Sequence, residues 1–241
     1  MTANMSTNVA RIHSYQTMGT LDGPGVRFVI FMQGCPFECA YCHNPDTWDK
    51  AGERNISIDN LKNAILRYRP YFGADGGITV SGGEPLLQAD FLCELFKFCK
   101  NEGINTALDT SGGVINEKVY ELLNVTDLCI LDYKFICEDS YSKYTKINYS
   151  NVVDFLEELD KMEIKTWIRQ VVLPGINDSA EELRATGKLK DKYKCIEKIE
   201  LLPFRSMCRT KYDELGMEFA FRNQKEPDNA QMQGYYSILN N

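Results

Sequence analysis

Three cysteines crowd into one short segment of the sequence, Cys35-Pro36-Phe37-Glu38-Cys39-Ala40-Tyr41-Cys42. Their C-x3-C-x2-C spacing puts three thiolates in a tight loop, and no further cysteine follows until Cys93. Three thiolates can hold three irons of a cubane cluster and leave the fourth iron open, as a catalytic metal site requires. The spacing therefore predicts a 4Fe–4S cluster held by Cys35, Cys39 and Cys42.

A zinc site made of the same cysteines and His43 is the alternative interpretation. Zinc ligands usually come as two separated pairs, and the adjacent Cys42 and His43 would be strained as ligands of one ion. The other six cysteines are scattered, mostly in apolar stretches, and we expect them to be small buried hydrophobic side chains. They are Cys93, Cys99, Cys129, Cys137, Cys195 and Cys208.

The 241-residue chain has the composition of a soluble globular protein, with 44% hydrophobic and 25% charged residues. Its formal net charge of −7 disfavours non-specific binding to nucleic acid or anionic lipid. No apolar run is long enough to span a bilayer, and the polar segment 1–9 has no apolar signal core. We expect a cytoplasmic protein that binds neither nucleic acid nor membrane.

Strand-like and helix-like segments alternate along the chain in about six βα units, with no Pro- or Ser-rich linker. We predict one domain over 1–241, with a core at about 20–203 and an extension at 204–241 that packs outside it. Strands are predicted at 26–32, 77–81, 105–109, 128–133, 165–172 and 196–202. Helices are predicted at 58–68, 88–100, 116–124, 152–162 and 180–190, with a short helix-like stretch after Pro227.

Polar residues stand at or just beyond the ends of several predicted strands. They are Cys35, the segment 81–84, Asp109, Asp132 with Lys134, and Arg169. Alternating βα units specify a parallel sheet, which can form an open doubly wound sheet or a barrel. In a barrel the carboxyl ends of the strands converge on one face, whereas an open sheet spreads them along a line. We therefore favour an α/β fold with a partial (β/α)6 parallel barrel.

The cysteine loop resembles the C-x3-C-x-aromatic-C signature of the radical SAM superfamily, with Tyr41 as the aromatic residue. Nearly the whole chain also resembles one of its families, the pyruvate formate-lyase-activating enzymes. The segments that carry this likeness are Arg11-Ile12-His13-Ser14, Asp22-Gly23-Pro24-Gly25-Val26-Arg27, Tyr41-Cys42-His43-Asn44, Asp46-Thr47-Trp48-Asp49, Ser81-Gly82-Gly83-Glu84, Leu108-Asp109-Thr110, Leu131-Asp132-Tyr133-Lys134, Trp167-Ile168-Arg169 and Glu200-Leu201-Leu202-Pro203.

The resemblance implies a barrel of the radical SAM type and the cofactors of that superfamily. S-adenosylmethionine (SAM) would bind the open iron, and one electron from flavodoxin or ferredoxin would allow its reductive cleavage. The resulting 5′-deoxyadenosyl radical would remove a Cα hydrogen from one glycine of pyruvate formate-lyase. We expect a monomer in which no side chain acts as general acid or base, because the cofactor performs the difficult chemistry.

The resemblance also implies roles for individual residues. Glycines allow backbone to approach a ligand closely. A cation beside a carboxylate suits SAM, which carries a carboxylate and a positively charged sulfonium. The implied SAM contacts are Tyr41, Cys42, His43, Gly83, Glu84, Asp132, Tyr133 and Lys134. Arg205 stands where the family usually has a histidine that reaches the adenosine. A monovalent cation would bind Asp109, Thr110, Asp132 and the Ile130 carbonyl, and the turn at Asp22 would face the protein partner.

Several alternatives remain open. Many other activators of glycyl-radical enzymes carry a cysteine-rich insertion, and segment 44–80 contains no cysteine, which favours pyruvate formate-lyase as the partner. The activator of anaerobic ribonucleotide reductase is a weaker alternative, because its chain is shorter. The radical enzyme of deazapurine biosynthesis is another, and the turn at 22–25 argues against it. An iron–sulfur electron-transfer protein without SAM chemistry is the alternative from another class.

Overall fold

The structure, a computed structural model, describes residues 8–49 and 54–241. The chain divides into two compact units. Unit 1 comprises the described residues of Met1–Pro36, Thr47–Thr110 and Val114–Ile130, and unit 2 comprises Phe37–Asp46, Ser111–Gly113 and Leu131–Asn241. The single domain over 1–241 stays a prediction beside this division.

The described strands are β1 (Val9–Gly19), β2 (Arg27–Met32), β3 (Asn55–Ser57), β4 (Gly77–Gly82), β5 (Asn105–Thr110), β6 (Leu128–Asp132), β7 (Thr166–Val172) and β8 (Ile196–Pro203). Hydrogen bonds link them in the order β3-β1-β2-β4-β5-β6-β7-β8. The pairs β2–β4, β4–β5 and β7–β8 are parallel, and β1 is antiparallel to both of its neighbours. Because β3 and β8 are the two ends of this order, the described sheet is open at these edges.

The described α-helices are α1 (Ile58–Tyr68), α2 (Ala89–Asn101), α3 (Glu117–Leu123), α4 (Glu138–Tyr144), α5 (Tyr149–Lys161), α6 (Ala180–Gly187), α7 (Leu189–Lys192), α8 (Arg209–Glu214) and α9 (Asn229–Leu239). Polar caps fix several of their starts. The Ser57 side chain accepts the Asn60 amide at the start of α1, and the Asn116 side chain accepts two amides of α3. The helix predicted at 58–68 is confirmed in its bounds.

Unit 1 has an apolar core around β2, whose residues Phe28, Val29 and Ile30 are fully buried. Such an unbroken apolar run is typical of a strand covered on both faces. Arg27 at the start of β2 is also fully buried, and its guanidinium donates to Thr79 Oγ1 at 3.0 Å and Asn105 Oδ1 at 2.8 Å. Burial lowers the pKa of Arg27 to about 10. This cation therefore ties together the first halves of three parallel strands.

Unit 2 ends with α9, which packs against α6 and β8. The approach to α6 is close, because a Cβ on Gly187 would lie 2.1 Å from the Leu239 carbonyl oxygen. The Tyr236 hydroxyl accepts the Leu201 amide of β8 at 2.9 Å and donates to the Leu201 carbonyl at 3.1 Å. One side chain thus satisfies both backbone groups of that residue on the outer edge of β8.

Four sequence predictions are corrected by the structure. The antiparallel strands β1 and β3 and the helices α4 and α8 were missed, and the helix expected at 180–190 is divided into α6 and α7. Arg169 lies in the middle of β7, not at its end, because the strand continues to Val172. Cys137 is exposed instead of buried, because it precedes the first turn of α4; the other five scattered cysteines are buried as predicted.

Candidate active site

The base of the cysteine loop is closed by backbone hydrogen bonds within unit 1. The Gly34 amide donates to the Thr47 carbonyl at 2.8 Å, and the Cys35 amide donates to the Trp48 carbonyl at 3.3 Å. The Gln33 side chain adds a bond to the Asp49 carbonyl at 2.9 Å. These contacts hold Cys35, which is partly exposed, in a fixed backbone position just beyond β2.

The Gly83-Glu84 segment is attached to the same stretch of backbone. The Gly83 amide donates to the Met32 carbonyl at 3.0 Å, and the Glu84 amide donates to the Gly34 carbonyl at 2.9 Å. A Cβ on Gly83 would lie 2.4 Å from the Gly34 carbonyl oxygen. Glycine is therefore required here by the close approach of two backbone segments. The glycine motif and the start of the cysteine loop form one structural element.

The Glu84 carboxylate is buried, and its partners are neighbouring groups of unit 1. It accepts the Thr110 hydroxyl at 2.6 Å and the Leu86 amide at 3.1 Å. Beside it, the Ser81 hydroxyl donates to Asp109 at 2.9 Å. The structure thus brings together the predicted site residues Glu84, Asp109 and Thr110, which come from two adjacent strand ends.

The second part of the cysteine loop belongs to unit 2 and is held there by backbone contacts. The Ala40 amide donates to the Tyr144 carbonyl, and the Lys146 amide donates to the Phe37 carbonyl, both at 2.8 Å. The Phe37 ring covers Gly113, where a Cβ would lie 2.5 Å from the ring. Helix α4 and the residues after it, which the sequence did not predict, therefore support this part of the loop.

Cys39 and Cys42 occupy different environments in unit 2. Cys39 is buried, and burial raises the pKa of its thiol to about 12. Cys42 is partly exposed; its amide donates to the Cys39 carbonyl at 2.9 Å, and its Sγ accepts the Asn44 amide at 3.3 Å. Cys39 is a free cysteine. A buried thiol of this kind is deprotonated when it ligates a metal.

Tyr41, between the two cysteines, is buried in an aromatic cluster. Its ring packs edge-on against Phe135 at 6.0 Å and Phe221 at 5.9 Å, and the Lys134 Nζ lies 5.7 Å from its centroid. Burial raises the pKa of Tyr41 well above its usual value. Among the described residues its hydroxyl has no hydrogen-bond partner. The ring therefore anchors the loop by packing.

Asp132 and Lys134 form an ion pair at the end of β6. Burial by itself lowers the pKa of Lys134, but Asp132, Cys39 and Tyr41 together outweigh it, and that pKa lies well above the usual value. The second carboxylate oxygen of Asp132, Oδ1, is buried and has no hydrogen-bond partner within the described residues. A buried acceptor of this kind is costly unless a ligand supplies a donor.

Three residues that the sequence did not identify hold the Lys134 backbone. The Tyr141 hydroxyl accepts the Lys134 amide at 3.0 Å, and the Gln170 and Asn177 side-chain amides both donate to the Lys134 carbonyl at 3.3 Å. All three side chains are buried. Only the tertiary structure reveals them, since they lie 7 to 43 positions away. Tyr133, next to Lys134, is buried and its hydroxyl bonds to that of Tyr149 at 2.8 Å.

His43 contacts the backbone of Arg205. The His43 Nε2 lies 2.8 Å from the Arg205 carbonyl, and Nε2 is the donor because a carbonyl only accepts. Burial lowers the pKa of His43. The Arg205 guanidinium pairs with Glu226 at 3.1 Å. The structure thus brings together two predicted SAM residues, although their contact is to the Arg205 backbone.

Comparisons with known proteins identify the family of this chain. Residues 29–186 match the family model described as the radical SAM superfamily. The chain is 42% identical over 217 residues to the pyruvate formate-lyase-activating enzyme of Clostridium pasteurianum, covering 89% of this chain and 90% of that protein. It is 38% identical over 234 residues to the pyruvate formate-lyase 1-activating enzyme of Escherichia coli (strain K12), covering 96% and 95%. The chain belongs to the pyruvate formate-lyase-activating enzymes of the radical SAM superfamily.

Solved structures agree with this fold. The structure of Streptococcus suis SuiB bound to S-adenosylmethionine is similar with a TM-score of 0.65 at 14% identity, over 86% of this chain and 44% of SuiB. A domain of a pyruvate-formate lyase-activating enzyme from Bacteroides vulgatus ATCC 8482 is similar with a TM-score of 0.55 at 23% identity, over 68% of this chain and 92% of that domain. The predicted α/β fold, a partial parallel barrel of the radical SAM type, is confirmed.

Membership of the radical SAM activating-enzyme family implies a 4Fe–4S cluster and SAM as cofactors. The donor set fits both groups. Cys39 and Cys42 are two cysteines on one loop that backbone contacts hold in place, and the Asp132 Oδ1 is a buried acceptor that needs a donor. Among the described residues, no helix is long and apolar enough to cross a membrane.

The Asp22 turn and the start of the cysteine loop lie beyond opposite ends of β2 in unit 1. The turn connects β1 to Arg27 at the first residue of β2, whereas Cys35 follows the last residue of β2. The Asp22 carbonyl accepts the Thr79 hydroxyl at 2.6 Å, and a Cβ on Gly25 would lie 2.5 Å from the Gly76 amide nitrogen. These contacts fix the turn, and its role toward a partner of this activating-enzyme family member stays a prediction.

Proposed function

We propose that this protein activates pyruvate formate-lyase by cleaving SAM reductively and removing a Cα hydrogen from one glycine of that partner. The observation that carries the proposal is the match along nearly the whole chain with relatives that bear the name of this activity. The bonds from Gly83 and Glu84 to the backbone before Cys35 support it, because they fix the proposed SAM-binding motif relative to a proposed cluster ligand.

Cys35, Cys39 and Cys42 would hold the cluster. When bound, the cluster would supply the electron for the reductive cleavage of SAM. The chain's own task is to place the thiolates. The closed base at Gly34 places Cys35, and the Asn44 amide donates to the Cys42 sulfur. Hydrogen bonds to sulfur are one of the means by which proteins tune such clusters.

The proposed SAM contacts are those that the family resemblance implies. The Gly83 carbonyl and the Glu84 carboxylate would accept bonds from the SAM ammonium group, and the Asp132 Oδ1 would accept from a SAM donor. The remaining proposed contacts are Tyr41, Cys42, His43, Tyr133, Lys134 and Arg205. Support comes from the buried, unpartnered oxygen of Asp132 and from the rigid backbone of Lys134.

A monovalent cation near the SAM carboxylate would bind Asp109, Thr110, Asp132 and the Ile130 carbonyl. Oxygen-only ligands suit such a hard cation. We further propose flavodoxin or ferredoxin as the electron donor, a monomeric state, a cytoplasmic location, and contact between Asp22 and the protein partner. No nucleic acid or membrane takes part.

The test is electron paramagnetic resonance on an anaerobic mixture of this protein, a reductant, SAM and purified pyruvate formate-lyase. We expect the doublet of a glycyl radical with the wild-type protein and with Cys137→Ser, which changes an exposed cysteine outside the loop. Cys39→Ser and Cys42→Ser should give no doublet. If 5′-deoxyadenosine forms without a doublet, the partner is wrong; if none forms, the enzymatic proposal itself fails.

A further inference from the structure

The segment 205–212 contacts the end of the cysteine loop at three points, all within unit 2. The Arg205 carbonyl accepts from His43, the Lys211 ammonium binds Asn44 and Asp46, and the Tyr212 hydroxyl donates to the Cys42 carbonyl. This segment lies beyond residues 29–186, the part that matches the superfamily model. We call residues 205–212 the C-terminal clasp.

Tyr212 makes the contact closest to a cysteine. Its side chain is only 2% exposed, and its ring stacks on Phe219 with centroids 4.6 Å apart and an interplanar angle of 27°. The hydroxyl, held in this way, donates to the Cys42 carbonyl at 3.2 Å. A bond to that carbonyl fixes the peptide that follows Cys42 and thereby restricts the directions in which its Sγ can point.

Lys211 acts on the other side of the same cysteine. Its Nζ lies 3.0 Å from the Asn44 side-chain oxygen and 3.0 Å from an Asp46 carboxylate oxygen. Asn44 is the residue whose amide donates to the Cys42 Sγ at 3.3 Å. Lys211 therefore holds the turn that presents an N–H group to the sulfur. Such donors stabilise the more negative, reduced form of a cluster and raise its reduction potential.

We propose that Tyr212 and Lys211 are positioning residues for Cys42, and that the C-terminal clasp controls how firmly the cluster is held and how easily it is reduced. The inference rests on the proposed function in one respect, the assignment of Cys42 as a cluster ligand. Neither side chain needs to touch the cluster. Both act from 167 to 170 positions away in sequence, through the backbone and the neighbour of Cys42.

The first experiment compares Tyr212→Phe with Tyr235→Phe in the full chain. Phenylalanine keeps the stacked ring and removes only the hydroxyl; Tyr235 is a matched control in unit 2 whose hydroxyl donates to Asp178 at 2.8 Å. After anaerobic reconstitution, we expect Tyr212→Phe to lose iron to a chelator about tenfold faster than the wild type, as is common when an outer partner of a metal ligand is removed. Tyr235→Phe should match the wild type.

A second readout needs no cluster. In the cluster-free full chain we expect iodoacetamide to alkylate Cys42 faster in Tyr212→Phe than in the wild type, with Cys137 as the internal reference measured by peptide mass spectrometry. Equal rates at Cys42 in the two proteins would overturn the role of Tyr212. This comparison tests the role of Tyr212 even if the wild type retains no iron. Failure of the wild type to retain iron would refute the proposed function instead.

A second variant tests the sulfur contact. Lys211→Met should shift the reduction potential of the reconstituted cluster to a more negative value, because the turn at Asn44 is released. The control is Lys165→Met, which removes an exposed ion pair with Glu197 elsewhere in unit 2. An unchanged potential in Lys211→Met, or an equal shift in both variants, would overturn the role of Lys211.

Discussion

Gly83 lies so close to the backbone before the cysteine loop that a single added carbon should disrupt the site. In Gly83→Ala the new Cβ would lie 2.4 Å from the Gly34 carbonyl oxygen and 2.9 Å from its carbonyl carbon. Ordinary van der Waals contact begins near 3.4 Å. The obstacle is backbone, which cannot swing aside as a flexible side chain would.

The size of the effect follows from these distances. Relieving the overlap requires a shift of about 1 Å, the difference between the ordinary contact of 3.4 Å and 2.4 Å. The Glu84 amide now donates to that same Gly34 oxygen at 2.9 Å, and such a shift lengthens this bond beyond hydrogen-bonding distance. Strain of about 1–3 kcal/mol and an unsatisfied amide of about 1–3 kcal/mol lower the free energy of unfolding by about 2–6 kcal/mol.

The assay is urea unfolding of the full chain under anaerobic, reducing conditions, together with SAM binding to the reconstituted protein. Gly234→Ala is the matched control, because a Cβ there meets nothing within 4 Å in the interior of α9. It should raise the free energy of unfolding by about 0.5–1 kcal/mol. A Gly83→Ala protein that unfolds within 0.5 kcal/mol of the wild type and binds SAM equally well would refute the reasoning, a threshold set by the scatter of neutral substitutions.

Two further predictions concern charged groups of unit 2. Lys134→Met leaves the Asp132 carboxylate without its cation and should lower the free energy of unfolding by about 3 kcal/mol. This is the low end for a broken buried ion pair, because the Asp132 side chain is 29% exposed. Adding Asp132→Asn should recover most of the loss, and equal stability of the single and double variants in urea would contradict the prediction. Glu226 has its pKa held at about 2 by the Ser206 hydroxyl and amide and by Arg205. Because its folded pKa is lowered, its contribution to stability is present above the ordinary value of 4.5 and is lost as the pH falls toward 2. Carboxyl NMR titration should find this low pKa and a rise toward 4.5 in Ser206→Ala; an ordinary pKa for wild-type Glu226 would disprove the contact.

The parallel strands and their helices were predictable because each is a short apolar run followed by an amphipathic segment. The strand predicted at 26–32 begins at Arg27, and the strand predicted at 196–202 extends one residue further, to Pro203. β1 was not predictable in the same way. It carries the polar run His13-Ser14-Tyr15-Gln16-Thr17, several of its residues are exposed, and irregular register interrupts its pairing with β2. An antiparallel strand of this kind is defined by its neighbour more than by its own pattern.

The site shows the same limit. Spacing identified the three cysteines, the strand ends identified Glu84 and Asp109, and the family resemblance added Thr110; the structure brings the last three together in unit 1. The supports were not visible, because Asn177 and Tyr212 are ordinary residues until the chain folds them against Lys134 and Cys42. A sequence pattern can identify a residue whose type is unusual at its position, such as a charged residue after an apolar strand. Residues that support such a group are recognised only from their tertiary contacts.

The hydroxyl of Tyr236 on β8 has a consequence for solubility. An outer strand offers unpaired amides and carbonyls, to which a strand of another molecule can add. At Leu201 both groups are already taken by one side chain from α9. The tyrosine hydroxyl offers no continuous backbone for a further strand to pair with. It therefore occupies the hydrogen-bonding groups of the strand edge without extending the sheet. Helix α9 thus makes this point of the sheet edge, Leu201, unavailable to a strand of another molecule.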